Sequence, residues 1–229
     1  MPEPSCTVIS IGTLASNPLW GEREPVRTGH ATTTLVRADD RNILIDPGLP
    51  PAALGARLSE RVDLVPDDIT DVFLTTFQPD TIRGIELFTT ASWWVHEPER
   101  EGVGVPLLQA LARAHEDNNE ELATRLQHDA AVLERCQVAP DSLVSRVDLF
   151  PLAGLSPGSC GVLLALARAT ILIAGDAIAT GRHLEEGKVL PHCHDIERAQ
   201  ESFKDGVEIA DLIIPGRDNL TINPTRGGF

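Results

Sequence analysis

The apolar and polar positions divide the chain into short strands and amphipathic helices. β-Branched runs bounded by glycine predict strands near the start, and short apolar runs predict buried strands farther along. The predicted strands cover residues 7–14, 31–36, 42–45, 70–74, 93–95, 147–152, 162–167, 170–174 and 212–214. Helical spacing predicts helices over 51–61, over 105–136 with a break near 116–119, and over 195–208. Two strand-rich blocks with associated helices indicate an α/β fold.

Composition is consistent with one domain spanning residues 1–229. The chain has 229 residues, of which 42% are hydrophobic, enough for a sizeable core. Its net charge of −15 argues against nucleic acid, whose binding depends on cationic contacts to phosphate, and against anionic membrane surfaces. The simplest consequence of this acidity is solubility.

Several sequence features lead us to expect a cytoplasmic protein. Residues 1–5 lack the basic and apolar regions of a signal peptide, and no apolar run is long enough to span a membrane. Cys6, Cys136, Cys160 and Cys193 show no C-x-x-C spacing. Reduced thiols are therefore expected.

Five segments carry the pattern most informative about function. They are LTTFQPDTIRG at 74–84, NILIDPG at 42–48, SPGSCG at 156–161, ILIAGDA at 171–177 and IIPGRD at 213–218. The first resembles the T-H-x-H-x-D-H-x-G-G loop of the metallo-β-lactamase-fold hydrolases. The others resemble that family's D-x-G strand, T-P-G-H-T-x-G loop, G-D strand and P-G-H loop, in the same order. This resemblance implies a four-layer αββα sandwich whose motif loops meet at one edge between two sheets. In the family, that edge holds one or two metals, zinc, iron or manganese, which activate a water for hydrolysis.

The resemblance also implies that the usual metal centre is degenerate. Two of the seven family ligand positions keep the family's residue, namely Asp80 and Asp176. The other five are substituted, by Thr76, Gln78, Thr81, Ser159 and Arg217. A hydroxyl or an amide is a weak zinc ligand compared with imidazole. We therefore expect a degenerate pocket formed by these seven residues, with no catalytic residue, no metal ligand set and no cofactor.

Arg217 is the substitution with the clearest physical consequence. A permanent cation in the place of a dication repels metal and attracts carboxylates. The sequence thus predicts that Arg217 contacts Asp80, Asp176 or both, with Thr76, Gln78, Thr81 and Ser159 lining the same pocket and satisfying the remaining oxygens. The alternative is that Arg217 faces solvent and the pocket fills with water.

Other candidate chemistry carries less weight. His192 or His194 could rebuild a metal site with Asp176, although a polar loop leading into a helix that starts at Asp195 is the simpler interpretation. His183 is expected to be an exposed or hydrogen-bonded loop residue rather than a ligand. Ser159 lacks the G-x-S-x-G setting of a serine nucleophile. Trp93 and Trp94 are expected to anchor a strand in the core.

Two functional hypotheses follow. The first is a non-catalytic pseudoenzyme with a binding, scaffolding or regulatory role, whose partner is an unknown small molecule or protein. The second is a hydrolase with a remodelled single-metal site that acts on an ester, thioester, lactone or amide. The fold alone does not select a substrate, since one fold hosts many reactions.

Overall fold

Twelve strands and five helices make up the part of the chain that the computed structural model describes, residues 3–226. The strands are Ser5–Ser10 (β1), Thr33–Ala38 (β2), Arg41–Ile45 (β3), Asp71–Leu74 (β4), Ser92–Val95 (β5), Gln137–Val138 (β6), Ser142–Val144 (β7), Val147–Pro151 (β8), Cys160–Ala165 (β9), Thr170–Gly175 (β10), Leu212–Pro215 (β11) and Thr221–Ile222 (β12). The helices are Pro51–Val62 (α1), Glu97–Glu116 (α2), Glu120–Arg135 (α3), Gly181–Glu186 (α4) and Ile196–Ile209 (α5). The termini of the expected domain, residues 1–2 and 227–229, lie outside the described residues.

The strands form two six-stranded sheets. In the first, β1 to β6 lie side by side in chain order, and in the second the order is β12-β11-β10-β9-β8-β7. β3, β4, β5 and β6 run parallel to one another, as do β10 and β11. The carboxyl ends of these parallel strands are therefore the natural place for a site built from several loops.

Alternation along the strands sorts their side chains into three hydrophobic cores. In β3, Leu44 packs with α1 and α3, whereas Ile43 and Ile45 pack between the two sheets. In β10, Ile171 and Ile173 face the same central core, whereas Leu172 packs with α4 and α5. Because successive strand residues point to opposite faces, these cores give helix, sheet, sheet and helix layers. The predicted four-layer αββα architecture is confirmed.

Several predicted boundaries were wrong in understandable ways. The first strand ends at Ser10, not at residue 14. The long helix starts at Glu97, not at residue 105, because Pro98 in its first turn favours helix initiation there. The predicted break is present, with the Asn119 side chain accepting from the Leu122 amide to cap α3. β6, β7, β12 and α4 were not predicted, since segments of this length offer too little alternation to read. Within residues 3–226, no helix combines the length and apolarity that a membrane span requires.

Candidate functional site

Loops from both sheets meet at one edge of the sandwich. The segments following β3, β4, β10 and β11 all leave the carboxyl ends of parallel strands and converge with the segment preceding β9. Backbone hydrogen bonds join these segments, among them Cys160 N to Thr75 O at 2.9 Å and Arg217 N to Ala179 O at 2.8 Å. The segment that precedes β2 adds Ala31 N to Asp80 O at 3.0 Å and Thr32 N to Gly216 O at 2.7 Å. The two sheets therefore hold the loops in fixed register.

Two glycines allow the loops to approach closely. Gly175 has a φ of 55°, and a Cβ there would lie 2.5 Å from the Thr75 hydroxyl. At Gly216, a Cβ would lie 2.3 Å from Asp176 Oδ1. Both positions therefore require glycine, which places the Asp176 carboxylate directly against the loop that carries Arg217.

Arg217 lies between the two carboxylates retained from the family motif. Its Nε donates to Asp176 Oδ1 at 2.7 Å, its Nη2 donates to Asp176 Oδ2 at 2.5 Å, and its Nη1 donates to Asp80 Oδ2. The Arg217 and Asp176 side chains are 3% and 5% exposed, whereas that of Asp80 is 28% exposed. The predicted contact with both aspartates is confirmed, and the solvent-facing alternative is wrong. We refer to these three residues as the Arg217 cluster.

The cluster perturbs the guanidinium strongly. Burial alone would lower the pKa of Arg217, but the charges and hydrogen bonds of Asp176 and Asp80 outweigh burial and hold this pKa above its usual range. Arg217 is therefore a permanent cation within the cluster. Two carboxylates and one guanidinium leave it with one uncompensated negative charge.

The expectation for Thr76, Thr81 and Ser159 was wrong, since none of them lines the cavity or bonds to the cluster. Thr81 Oγ1 shares its one proton between the backbone oxygens of Thr76 and Gln78, both at 2.8 Å. Ser159 Oγ donates to Leu152 O at 2.7 Å, and Thr76 Oγ1 is buried without a hydrogen-bond partner among residues 3–226. Short hydroxyl side chains reach nearby backbone more readily than a distant centre, which explains this turn inward.

Glu99 is a structural carboxylate that the sequence analysis missed. It is fully buried at the first turn of α2 and accepts from Phe77 N at 2.8 Å, Ser156 Oγ at 2.5 Å and Gly158 N at 3.1 Å. It therefore joins the loop that follows β4 to the loop that precedes β9. Nothing in the local sequence distinguishes it from neighbouring glutamates, because all three partners are distant in sequence.

Asp46, in the D-P-G segment, is a second buried carboxylate beside the cluster. Thr75 donates to it through its amide at 2.8 Å and its hydroxyl at 2.6 Å. Burial outweighs these hydrogen bonds and raises the pKa of Asp46 to about 7; the charge of Asp176 adds to the rise, and that of Arg217 opposes it. Asp46 thus links the ends of β3 and β4 and titrates near neutrality.

A cavity of 240 Å³ opens beside the Arg217 cluster. Its polar lining consists of Ser16, Gln78, Asp80, Asp176, His192 and Arg217. Its apolar lining consists of Leu14, Ala15, Pro18, Leu155, Leu190 and Pro191. Of the five substituted positions, Gln78 and Arg217 therefore face the predicted pocket. A larger groove of 470 Å³ lies between α2 and α3, away from the motif loops.

Of the remaining candidates, His183 and Trp93 occupy structural positions, whereas His192 lines the cavity. His183 was expected in a loop but is buried in α4; the expected hydrogen bond is present, since its Nδ1 pairs with Thr180 Oγ1 at 2.8 Å, and burial lowers its pKa. His192 is exposed at the cavity, and the Asp195 side chain caps α5 as predicted. Trp93 is buried and its Nε1 donates to Phe88 O, consistent with a core anchor.

The residues that the motif resemblance assigns to the family's metal position do not fit a metal ion. Arg217 donates to three of the four oxygens of Asp80 and Asp176, the atoms that a metal would need. The substituted positions add neutral hydroxyls that bond to backbone. Across residues 3–226, no three His, Cys, Asp or Glu side chains are grouped to hold a metal ion. A dication would have to displace the guanidinium and compete with its charge.

Comparisons with known proteins agree with this architecture. The family model of the metallo-β-lactamase superfamily matches residues 26–216. A candidate metallo-β-lactamase from Thermotoga maritima is similar with a TM-score of 0.68 and 21% identity, covering 96% of this chain and 100% of that one. AidC, a dizinc quorum-quenching lactonase, is similar with a TM-score of 0.66 and 17% identity, covering 84% of this chain and 74% of that one. The hydrolase AbOPH is similar with a TM-score of 0.66 and 16% identity, covering 99% of this chain and 93% of that one. At these identities the structures support the fold alone. A search of the curated proteins gave no match.

Proposed function

Because this chain belongs to the metallo-β-lactamase superfamily, and Arg217 bonds to the two carboxylates that its motifs share with the family's metal ligands, we propose that it is a non-hydrolytic member. In this proposal, the Arg217 cluster takes over the structural task of the metal centre, which is to hold the motif loops together. The cavity beside it then serves to bind a small molecule rather than to convert one.

The observation that carries this proposal is the set of three hydrogen bonds from Arg217 to Asp80 and Asp176. A guanidinium presents a planar fork of donors that matches a carboxylate, and it has neither an open coordination position nor a bound water to activate. Hydrolysis in the family's manner needs both. The cluster supplies a fixed charge arrangement instead.

Metal content is the direct test. Protein purified without chelator, and again after growth with added zinc, should contain far less than one equivalent of zinc, iron or manganese by elemental analysis. It should also leave lactones, thioesters and β-lactams unhydrolysed. Near-stoichiometric metal that is lost in Asp176→Asn would overturn the proposal.

A reverse experiment tests whether the substitutions are the cause. Restoring histidine at all five substituted positions should recover metal binding if the loop backbone has kept the family's arrangement, whereas one histidine should not, because affinity comes from several ligands held together. The five substitutions are Thr76→His, Gln78→His, Thr81→His, Ser159→His and Arg217→His. Metal uptake by the folded variant supports the proposal. A folded variant that takes up none shows that the loops have departed from the family's arrangement.

The second candidate, a hydrolase with a single remodelled metal site, is favoured by one observation. His192 lines the same cavity as Asp80 and Asp176, and AidC, of the same fold, is a dizinc lactonase. Such a site requires Arg217 to leave the carboxylates. Lactone turnover that depends on zinc and disappears in both His192→Ala and Asp176→Asn would establish it.

A further inference from the structure

The cavity beside the Arg217 cluster presents one unneutralised carboxylate between apolar walls. We propose that it binds a small molecule carrying a protonated primary amine, with the ammonium against Asp80 and Gln78 and a short apolar body against the walls. This inference rests on the proposed function, because a metal in the site would reverse the sign of its charge. It names the chemical class of the ligand.

The charge of the lining favours a cation. Asp80 and Asp176 contribute two negative charges and Arg217 one positive charge, and no other Arg, Lys, Asp or Glu of residues 3–226 lines the cavity. Arg217 is only 3% exposed at its side chain and is already engaged with both carboxylates. An anionic ligand would meet the excess negative charge, whereas a cation would neutralise it.

Asp80 supplies the acceptor. Its Oδ2 takes the Arg217 hydrogen bond, while its Oδ1 accepts no hydrogen bond from any residue within 3–226. Its side chain is 28% exposed at the cavity. The side-chain amide of Gln78, which also lines the cavity, is likewise without a partner among the described residues. An ammonium has three donors and can use both oxygens.

The walls define the rest of the ligand. Six apolar residues line the cavity, contributed by the loop after β1 and by the segments at 155 and 190–191. Among residues 3–226, no Phe, Tyr or Trp lines the cavity, so this part of the chain does not supply the aromatic faces that a quaternary ammonium prefers. The volume of 240 Å³ equals roughly eight water molecules at about 30 Å³ each, which suits a short-chain amine.

Calorimetric titration of the full chain with n-pentylamine tests the proposal. At neutral pH and low salt, we expect a saturable site with a Kd on the order of 1 mM, the range open to so small a ligand. Pentanoate, n-pentanol and tetramethylammonium, as charge, polarity and shape controls, should bind at least about tenfold more weakly. Equal binding of pentanoate or pentanol, or no saturable amine site, would overturn the inference.

Matched variants separate the cavity from the acidic surface. Asp80→Asn removes the charge, and Ser16→Phe fills the cavity without changing charge; each should weaken pentylamine binding at least about tenfold. Glu121→Gln removes an exposed carboxylate on α3, away from the cavity, and should leave binding unchanged. If both cavity variants fold and bind as the parent does, the amine binds elsewhere and the inference fails. Elemental analysis of the same preparation distinguishes this failure from that of the proposed function: a metal-free protein without amine binding rejects the ligand class only.

Discussion

The Arg41–Asp71 pair and the Arg217 cluster use the same two side-chain types in opposite ways. At Asp71, Arg41 Nε donates to Oδ2 at 2.7 Å and Nη2 to Oδ1, while Thr70 Oγ1 and Trp94 Nε1 complete the carboxylate. Burial would raise the pKa of Asp71, but these hydrogen bonds hold it below its usual value. One guanidinium neutralises one carboxylate, and both Asp71 oxygens accept hydrogen bonds.

The Arg217 cluster instead shares one cation between two carboxylates. The guanidinium bonds to both oxygens of Asp176, whereas Asp80 faces the cavity with one oxygen that accepts no hydrogen bond from residues 3–226. The Arg41–Asp71 pair is neutral overall and joins β3 to β4. The cluster keeps one uncompensated negative charge at the edge where the motif resemblance predicts the family's metal site. Charge imbalance, rather than the presence of a buried ion pair, therefore distinguishes the candidate site from a structural brace.

Removing each arginine should expose this difference most strongly. Arg217→Ala leaves two carboxylates facing one another without a cation, so we expect a loss of unfolding free energy of about 3–5 kcal/mol. Arg41→Ala should cost less, about 1–3 kcal/mol, because Asp71 keeps Thr70 and Trp94 and water reaches the 29% exposed Arg41 side chain. Urea unfolding at neutral pH measures both.

A triple variant controls for lost packing. Asp80→Asn and Asp176→Asn, added to Arg217→Ala, remove the charges that the single variant leaves unpaired. Most of the lost stability should return. If the triple variant is as unstable as Arg217→Ala, the loss came from the missing side-chain volume and not from charge.

Glu99 extends the comparison to a carboxylate whose hydrogen-bond donors are all neutral. Glu99→Ala removes the acceptor for Phe77 N, Ser156 Oγ and Gly158 N, and should cost roughly 2–4 kcal/mol because buried donors lose their partner. The exposed neighbour Glu97 is the matched control, since Glu97→Ala should change stability by no more than about 0.5 kcal/mol. Equal effects would show that α2 packing, and not the junction between loops, is what Glu99 supports.

The sequence predicted the layers of the fold better than the internal arrangement of the site. Strand alternation and helix spacing depend on neighbouring residues, so β3, β10 and α1 were found close to their observed bounds. The pairing of Arg217 with Asp80 and Asp176 was predictable because the ordered motifs placed all three at one edge. Glu99 was not, since its partners lie far away in the chain. The orientation of Thr81 was not predictable either, because its hydroxyl bonds to nearby backbone oxygens and not to the cluster.

Asp46 offers a pH-dependent test of burial beside the cluster. Its pKa of about 7 in the fold lies above its ordinary value near 4, so the folded state holds a proton that the unfolded chain has released. The stabilisation that comes from this Asp46 proton is fully present below the pKa of Asp46 in the unfolded chain, and it is lost as pH rises through about 7. Between about pH 5 and pH 8, the loss should reach roughly 2–3 kcal/mol.

Asp46→Asn isolates that contribution, because the amide stays neutral throughout. Urea unfolding of both proteins across this range should show the free energy of unfolding of the variant rising relative to that of the parent as pH rises. A constant difference would mean that Asp46 stays ionised in the fold, held by the Thr75 donors and by Arg217 against the effects of burial and Asp176.

Thr76 and Thr81 repeat the contrast between open and closed groups at the smallest scale. Thr81 Oγ1 accepts from Gln78 N at 3.1 Å and shares its one proton between Thr76 O and Gln78 O, whereas Thr76 Oγ1 is buried without a partner in the part of the chain that the structure describes. Thr81→Val should therefore lose about 1–2 kcal/mol, and Thr76→Val should be neutral or gain up to about 1 kcal/mol, because a methyl replaces an unsatisfied hydroxyl. Thermal and urea unfolding of the two variants give the comparison directly. If Thr76→Val is as destabilising as Thr81→Val, the Thr76 hydroxyl has a partner in solution. The group that occupies this position would then extend the site beyond the cavity beside Arg217.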